Sequence, residues 1–578
     1  MKKIYDLELP EIFRRYGLIF FMVFLFQFSQ AQVYYDTICW VWVNDAAYAA
    51  VQGTDFSSKS DLNTLFDQDQ VVYYEQALPF AKTPELLTIH EIRCSGNGDI
   101  DNVIADLKNT YPLTFDKFSK FEVMDSVYVY DPIDWMWVSH ADDWLWHLKR
   151  IQADYAWDIT RGDPNIFTAI IDADFDVTHP DLASEISPHY DPYTNYQYSC
   201  NTTHWHGSAV ASFVSAETTE QGGTPQGQLA SVGFNTKIVA YMWANRQNTL
   251  AKALHASNVM GADVFVSCAG GSLNCSPDPS TGEELIVKEI LDNGTVIVMP
   301  AGNGPNSTSC GPPGNQHAFY PFNPEYDERI IIVTSTDFDD NHYWENDQGE
   351  EYTHSHFPEV DICAPGYDIM GAATTECGGN TWPYYGNWGG TSFSSPIVAG
   401  VVSLIKSINK DFTPGEIQEM IKRTADPIAD GQNYQGLIGA GRINAFAAVD
   451  LAANCTPEVI TGIETWNDDR VILCGLIVED GAELTIQGTV KLSHMSNIIV
   501  KPGGKLIIYG GTLTSLDNKL WQGVEVWGNP QLSQIPANQG WLSISNGGTI
   551  ENAVVAVKAG TGDFGAKGGG IVHASEAF

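Results

Sequence analysis

The sequence predicts an α/β fold: a parallel sheet with helices on both faces, preceded by a small α+β unit and followed by an all-β solenoid resembling a parallel β-helix. Three observations carry this. Short apolar, β-branched runs at residues 166–171, 237–241, 264–267, 296–299 and 330–334 alternate with longer periodic stretches such as 250–260 and 284–293. Short continuous apolar strands separated by helices imply a parallel sheet buried on both faces. Residues 32–141 carry a separate pattern, with a strand at 86–94 and apolar positions at Ile100, Val103, Ile104 and Leu107 at helical spacing after Asp99, a candidate N-cap. Residues 123–130 alternate like a second strand, and a Trp-rich connector follows.

The third observation is a repeat. The segment Ile477-Val-Glu-Asp-Gly-Ala-Glu-Leu-Thr-Ile-Gln-Gly488 returns as Ile499-Val-Lys-Pro-Gly-Gly-Lys-Leu-Ile-Ile-Tyr-Gly510, with a looser echo at 541–550. Gly-punctuated short strands at a period of about 20–50 residues point to stacked coils. The expected division is therefore a signal peptide at 1–31, a pro-segment-like domain and connector at 32–141, the α/β domain at 142–451, a linker at 452–470, and solenoid repeats at 471–578, read as incomplete.

Composition narrows the function. The 578 residues hold 30 Lys+Arg against 71 Asp+Glu, a formal charge of −41, with 44% hydrophobic and 12% aromatic residues. Such a chain has ample material for cores, which excludes a disordered or collagen-like protein. Its charge repels phosphate backbones and excludes nucleic acid as a partner.

Lys2, Lys3, Arg14 and Arg15 precede an apolar run at 17–26, and Ser29-Gln-Ala31 offers small residues for cleavage. This pattern is an export signal, shorter than the roughly 20 apolar residues that span a bilayer. The expectation is a protein that is secreted or at the cell surface, with no transmembrane segment in the mature chain. Ten cysteines and no CxxC pair favour disulfides over structural zinc, with connectivity left open.

Four segments carry chemistry. Asp172 closes an apolar strand in Ala169-Ile-Ile-Asp172-Ala-Asp-Phe-Asp-Val-Thr-His-Pro-Asp181. His206 opens His206-Gly-Ser-Ala-Val-Ala-Ser212, whose small residues suit a tightly packed helix. Ser392 stands in Gly390-Thr-Ser392-Phe-Ser-Ser-Pro-Ile-Val-Ala-Gly400, at a Gly-led turn into an apolar helix. A serine hydroxyl becomes a nucleophile when an imidazole takes its proton, and a carboxylate fixes that imidazole's tautomer. The fourth segment, Met299-Pro-Ala-Gly-Asn303, presents an amide suited to an oxyanion.

These motifs, in this order, resemble the subtilisin-like serine endopeptidases. The resemblance covers about residues 142–450, opening with Trp144-Leu-Trp-His-Leu-Lys-Arg-Ile-Gln-Ala153 and closing near Gly439-Ala-Gly-Arg-Ile-Asn-Ala445. It implies Ser392 as nucleophile, His206 as general base and then acid, and Asp172 as the acid orienting His206. Asn303 and the Ser392 N–H would form the oxyanion hole. Ser267, Cys268, Ala269 and Gly270 match the family segment that pairs with substrate backbone, so a peptide would bind as an added strand. Residues 32–141 would be an intramolecular chaperone and inhibitor.

Asp181 resembles a calcium ligand of the family, and no cofactor is required for the chemistry. Protein or peptide substrates are the implied partners. The repeats are a candidate surface for cell-surface or polysaccharide contact. Ala173 and Asp174 depart from the family's small hydroxyl residue and glycine, removing a hydroxyl that could bond Asp172 and adding a carboxylate nearby. They leave a second reading open: an inactive scaffold that acts as an adhesion protein through its solenoid. His204 with His206, and His354 with His356, are weaker candidate metal pairs with no accompanying ligand set.

Overall fold

The computed structural model describes residues 38–49, 59–68, 71–76, 88–94, 100–120, 132, 134, 144–173, 175–187, 206–219, 228–243, 246–268, 281–303, 328–345, 351–373, 376–377, 380–381, 385–560 and 567–577. The chain divides into two units, Met1–Tyr128 and Val129–Phe578.

In the first unit, β1 (Ile38–Val43), α1 (Ser60–Gln68), β2 (Val71–Gln76), β3 (Ile89–Cys94), α2 (Ile100–Thr110) and β4 (Phe115–Lys120) follow in order. The four strands form one sheet in the order β2-β3-β1-β4. Val103 and Leu107 of α2 are fully buried with Val41 and Phe115, as the helical spacing requires. The expected strand at 123–130, the N-cap Asp99 and the signal segment lie outside the described residues.

The first described residues of the second unit are Pro132 and Asp134, both buried. Asp134 accepts hydrogen bonds from the Thr219 N–H at 2.8 Å and hydroxyl at 3.0 Å. The connector therefore packs into the α/β unit at this point. Its elements then run α3 (Trp146–Arg150), α4 (Ala153–Ile159), β5 (Phe167–Asp172), α5 (His206–Ser215), β6 (Lys237–Met242), α6 (Arg246–Asn258), β7 (Val264–Ser267), α7 (Thr281–Asp292), β8 (Val296–Pro300) and β9 (Ile330–Thr336). After them come β10 (Tyr343–Glu345), β11 (Glu351–Thr353), β12 (Ile362–Pro365), β13 (Ile369–Ala372), β14 (Glu376–Cys377), β15 (Asn380–Thr381), β16 (Tyr385–Trp388), α8 (Thr391–Ile408), α9 (Pro414–Arg423) and α10 (Ala445–Ala453).

Six strands make a parallel sheet in the order β12-β9-β8-β7-β5-β6. Separate clusters of buried apolar side chains cover its two faces. This is the doubly covered sheet that the continuous apolar runs predict. Helix α8 is long and apolar enough to cross a membrane, but 83% of it is buried inside the protein, as a core helix is.

Beyond α10, fourteen short strands run from β17 (Glu458–Ile460) to β30 (Ile571–Ala574). They stack into three parallel sheets of five, five and four strands: the first four coils give one strand to each sheet, and the last described coil gives β29 (Val557–Ala559) and β30 to two of them. The sequence echo is the coil register itself: Ile477 pairs with Ile499 and Glu483 with Lys505. Inward positions Leu484, Leu506 and Leu542 are fully buried, one beneath another. Outward positions of the same coils pair Glu479 with Lys501 at 2.6 Å and Glu483 with Lys505 at 3.1 Å.

The expected linker at 452–470 is corrected by this structure. Glu458–Ile460 and Ile463–Trp466 are strands of the first coil, and a Cys455–Cys474 disulfide closes the junction. Leu473 belongs to the core of the α/β domain. The polar sequence hid this because its pairing partners, β20 (Leu476–Val478) and β21 (Glu483–Ile486), come later in the chain.

One buried acid joins solenoid and domain. Glu416 forms a capping box with Thr413 at the start of α9 and accepts from the His494 N–H at 2.7 Å and its Nδ1 at 2.8 Å. Burial alone would raise its pKa, but His494 and the Thr413 N–H hold it below the usual carboxylate value. Such a group adds stability above its ordinary pKa that is lost as pH falls through the folded value. Glu416→Ala removes the cap and strands its partner, at a cost of about 3–5 kcal/mol. Urea unfolding monitored by circular dichroism checks this, and a loss below about 1 kcal/mol would contradict the pairing.

Candidate active site

The three predicted triad residues sit at element ends on one side of the sheet. Asp172 is the last residue of β5, the strand between β6 and β7, and is fully buried. His206 is the first residue of α5, whose following nine residues are all buried. Ser392 is the second residue of α8 and is 8% exposed. Glycine and alanine on α5 let it pack closely against α8.

Asp172 Oδ1 lies 2.7 Å from His206 Nδ1. A carboxylate accepts, so Nδ1 carries the hydrogen and Nε2 is left with its lone pair. Burial lowers the His206 pKa, but the charge and hydrogen bond of Asp172 outweigh it and hold the imidazole above its ordinary value. The Phe393 ring, next to Ser392, lies 5.2 Å from the His206 ring, and is itself packed by Phe213 at 5.7 Å and Trp388 at 5.9 Å. These contacts bring the imidazole to the first turn of α8.

The oxyanion donor is oriented by its own acceptor end. Asn303 Oδ1 accepts from the Thr391 N–H at 2.7 Å and hydroxyl at 2.9 Å. Its Nδ2 therefore turns toward Gly390, where an added Cβ would come within 2.9 Å. Gly390 has φ +140°, so both backbone and space demand glycine. Phe393 and Ser394 donate to the Gly390 carbonyl, whereas the Ser392 N–H, the second of α8, has no intrahelical carbonyl to bond. Thr391 was missed by the sequence reading, although a hydroxyl residue directly before the serine is a visible signal.

Substitution at 173 has a visible consequence. The Ala173 N–H donates to Asp172 Oδ1 at 2.6 Å, but Asp172 Oδ2 is buried without a partner. Asp174 lies outside the described residues. Ala173→Ser supplies a hydroxyl within reach of that orphaned oxygen, and a bond to a charged acceptor adds about 1.5–3 kcal/mol. A higher unfolding temperature and a several-fold rise in kcat/KM are expected; no change in either would show that the oxygen needs no donor.

The remaining sequence expectations fare differently. Ser267 ends β7, and its neighbour Cys268 is buried, while Ala269 and Gly270 lie outside the described residues. Cys268 is a free thiol in the core whose pKa burial and the Asp172 charge push well up.

Asp181 does not fit a calcium ion. Its Oδ1 accepts from the N–H groups of Gln228 at 2.8 Å and Leu229 at 2.9 Å, and its Oδ2 from the Tyr385 hydroxyl at 2.5 Å. Donor hydrogens point where a cation would stand. Among the described residues no three His, Cys, Asp or Glu side chains converge as a metal site. His204 lies outside the described residues; His354 Nδ1 bonds Ser335, and His356 Nδ1 faces His342 Nε2 and the His354 carbonyl.

Comparison with known proteins agrees with this geometry. Residues 163–441 match the subtilase family. The chain is 32% identical over 298 residues to a thermophilic serine proteinase of a Bacillus species, covering 51% of this chain and 64% of that protein. It is 28% identical over 305 residues to thermitase of Thermoactinomyces vulgaris, covering 52% of this chain and 94% of that one. An extracellular protease of Xanthomonas campestris is 27% identical over 308 residues, 50% of this chain and 47% of its own length. The chain thus spans less than two thirds of the first and third of these relatives. The likeness to the subtilase family runs through residues 163–441.

Proposed function

We propose that this chain is a secreted serine endopeptidase that cleaves peptide bonds through an acyl-enzyme. The observation that carries this is the 2.7 Å contact between Asp172 Oδ1 and His206 Nδ1, with the imidazole packed on the residue after Ser392. Two of the relatives are a thermophilic serine proteinase and an extracellular protease, which supports both the reaction and export.

His206 Nε2 takes the Ser392 proton as Oγ attacks the scissile carbonyl, and Asp172 stabilises the imidazolium that results. The negative oxygen of the tetrahedral intermediate meets Asn303 Nδ2 and the Ser392 N–H, both fixed before the reaction begins. His206 then gives its proton to the leaving amine. Residues 32–141 act as a pro-segment, and the solenoid is an accessory contact surface.

An activated ester substrate tests this reading. A burst of one equivalent of released alcohol, before slower turnover, reports the acyl-enzyme. A folded, secreted chain that shows neither burst nor turnover would favour the inactive adhesion scaffold.

A further inference from the structure

Behind the oxyanion loop lies a group of histidines that the catalytic steps do not use. Residues 354–356 follow β11; the His354 and His356 rings reach Ser335 and His342, while Ser355 lies against Gly302. The Ser355 N–H donates to the Gly302 carbonyl at 2.9 Å, and its carbonyl accepts from the Thr334 hydroxyl at 2.7 Å. A Cβ at Gly302 would lie 3.0 Å from Ser355 Oγ. Ser355 therefore backs the residue directly before Asn303.

His354 Nδ1 bonds the Ser335 hydroxyl. His356 Nδ1 lies 3.1 Å from His342 Nε2, and His342 Nδ1 lies 3.0 Å from the Ser335 carbonyl. A carbonyl can only accept, so His342 carries its hydrogen on Nδ1 and accepts at Nε2, and His356 donates to it. The His354 carbonyl, 3.2 Å from His356 Nδ1, also fixes the hydrogen on that nitrogen. A proton on His342 Nε2 would therefore either set two N–H groups against each other or drive the His356 hydrogen to Nε2, which gives up the bond to the His354 carbonyl. His342 is fully buried and His354 is 7% exposed, so neither charge is readily solvated. Asp430, which accepts the His342 N–H at 2.8 Å, Tyr434, packed edge-on to both His342 and His356, and His354 are the titratable groups facing the pair; Cys363 packs beside Tyr434.

We infer that the His342–His356 pair is a positioning brace for the oxyanion loop: it holds Ser355 against Gly302, aims Asn303 at the reacting carbonyl, and releases both on acidification. The brace stands on its own geometry, whereas its effect on rate rests on the proposed peptidase activity. Burial, with His356 adding to it, holds the His342 pKa below the ordinary value against the Ser335 carbonyl and Asp430. Burial and then His342 push His354 down to about 4. The brace is therefore complete above the ordinary histidine pKa of about 6.5 and is lost as pH falls through the lowered folded values. His206, raised instead, titrates first.

The test uses the full chain in two forms. In Ser392→Ala, with glycine and asparagine labelled for NMR, the Gly302 and Asn303 amide signals are expected to move in step with the His342 ring signals on acidification. In Ser392→Ala with His356→Gln, whose amide can either donate to or accept from His342 Nε2, that movement should disappear. Gly302 and Asn303 signals that stay still while the His342 ring titrates, or that move equally in both proteins, would overturn the brace. In the active chain, the acid limb of kcat is expected to steepen from about tenfold to about a hundredfold per pH unit, and to stay near tenfold in His356→Gln, with circular dichroism unchanged. Equal limbs in the two proteins would overturn its catalytic role. A chain without any hydrolysis would sink the peptidase reading while leaving the NMR result to decide the brace.

Discussion

Ser392→Ala is expected to abolish peptide hydrolysis while leaving the unfolding curve nearly unchanged. The Ser392 hydroxyl is the one next to the His206 imidazole's packing partner Phe393, and the alanine methyl fits where Cβ already sits. The expected loss is on the order of 10⁶ in kcat, a magnitude that belongs to subtilisin and is carried over to the proposed triad. Residual activity within about tenfold of the parent would mean that another group attacks the carbonyl. His206→Ala should cost about as much and the double variant scarcely more, because the two groups act as one unit. Additive losses would argue against a shared proton transfer.

The second large effect belongs to Asn303→Ala. Its Oδ1 is held by Thr391, so Nδ2 is already aimed and needs no reorganisation in the transition state. A drop of about 10²–10³ in kcat is expected, again the subtilisin figure, with KM changed little. If KM rose instead with kcat preserved, Asn303 would be binding the ground state and the oxyanion assignment would be wrong. Asn303→Asp is expected to be worse than alanine, because a carboxylate beside a developing negative oxygen repels it.

The pH dependence of this site has a definite sign. His206 must be neutral to accept the serine proton, and Asp172 raises its pKa despite burial. Activity therefore falls as pH drops through a value above the ordinary histidine pKa of about 6.5. Replacing Asp172 by Asn removes that charge, so the acid limb should move down in pH even as the maximal rate collapses. A limb that stayed in place would detach it from His206.

The sequence disclosed the parts of this structure that depend on local chemistry. The β5, β7, β8 and β9 strands are nearly continuous apolar runs, because each is buried on both faces and admits no polar alternation. The coil register was readable because stacked coils place equivalent residues over one another, so a 22-residue echo from Ile477 to Ile499 is also a spatial neighbour relation. Strand β4, Phe-Asp-Lys-Phe-Ser-Lys, gave no such signal, since its residues lack β-branched character and its place comes from pairing with β1.

At the site, Asp172, His206, Ser392 and Asn303 were legible from motif order. What surrounds them was not. The use of Asp181 depends on N–H donors from Gln228 and Leu229 and on Tyr385, far away in the chain. His342 meets His356 through a hairpin that no spacing rule foretells. Backbone donors and long-range partners carry no residue signature, so an acid that looks like a cation ligand in sequence becomes a hydrogen-bond acceptor in the fold.

The account rests on an activated serine at position 392, and a fluorophosphonate tests that most directly. Such a probe phosphonylates a serine only when a base and an oxyanion hole assist it. Intact mass and peptide mapping of the secreted, folded chain should show one adduct, on Ser392, and none in Ser392→Ala. A folded chain, freed of residues before 129, that gains no adduct or carries it on another residue would contradict the catalytic reading.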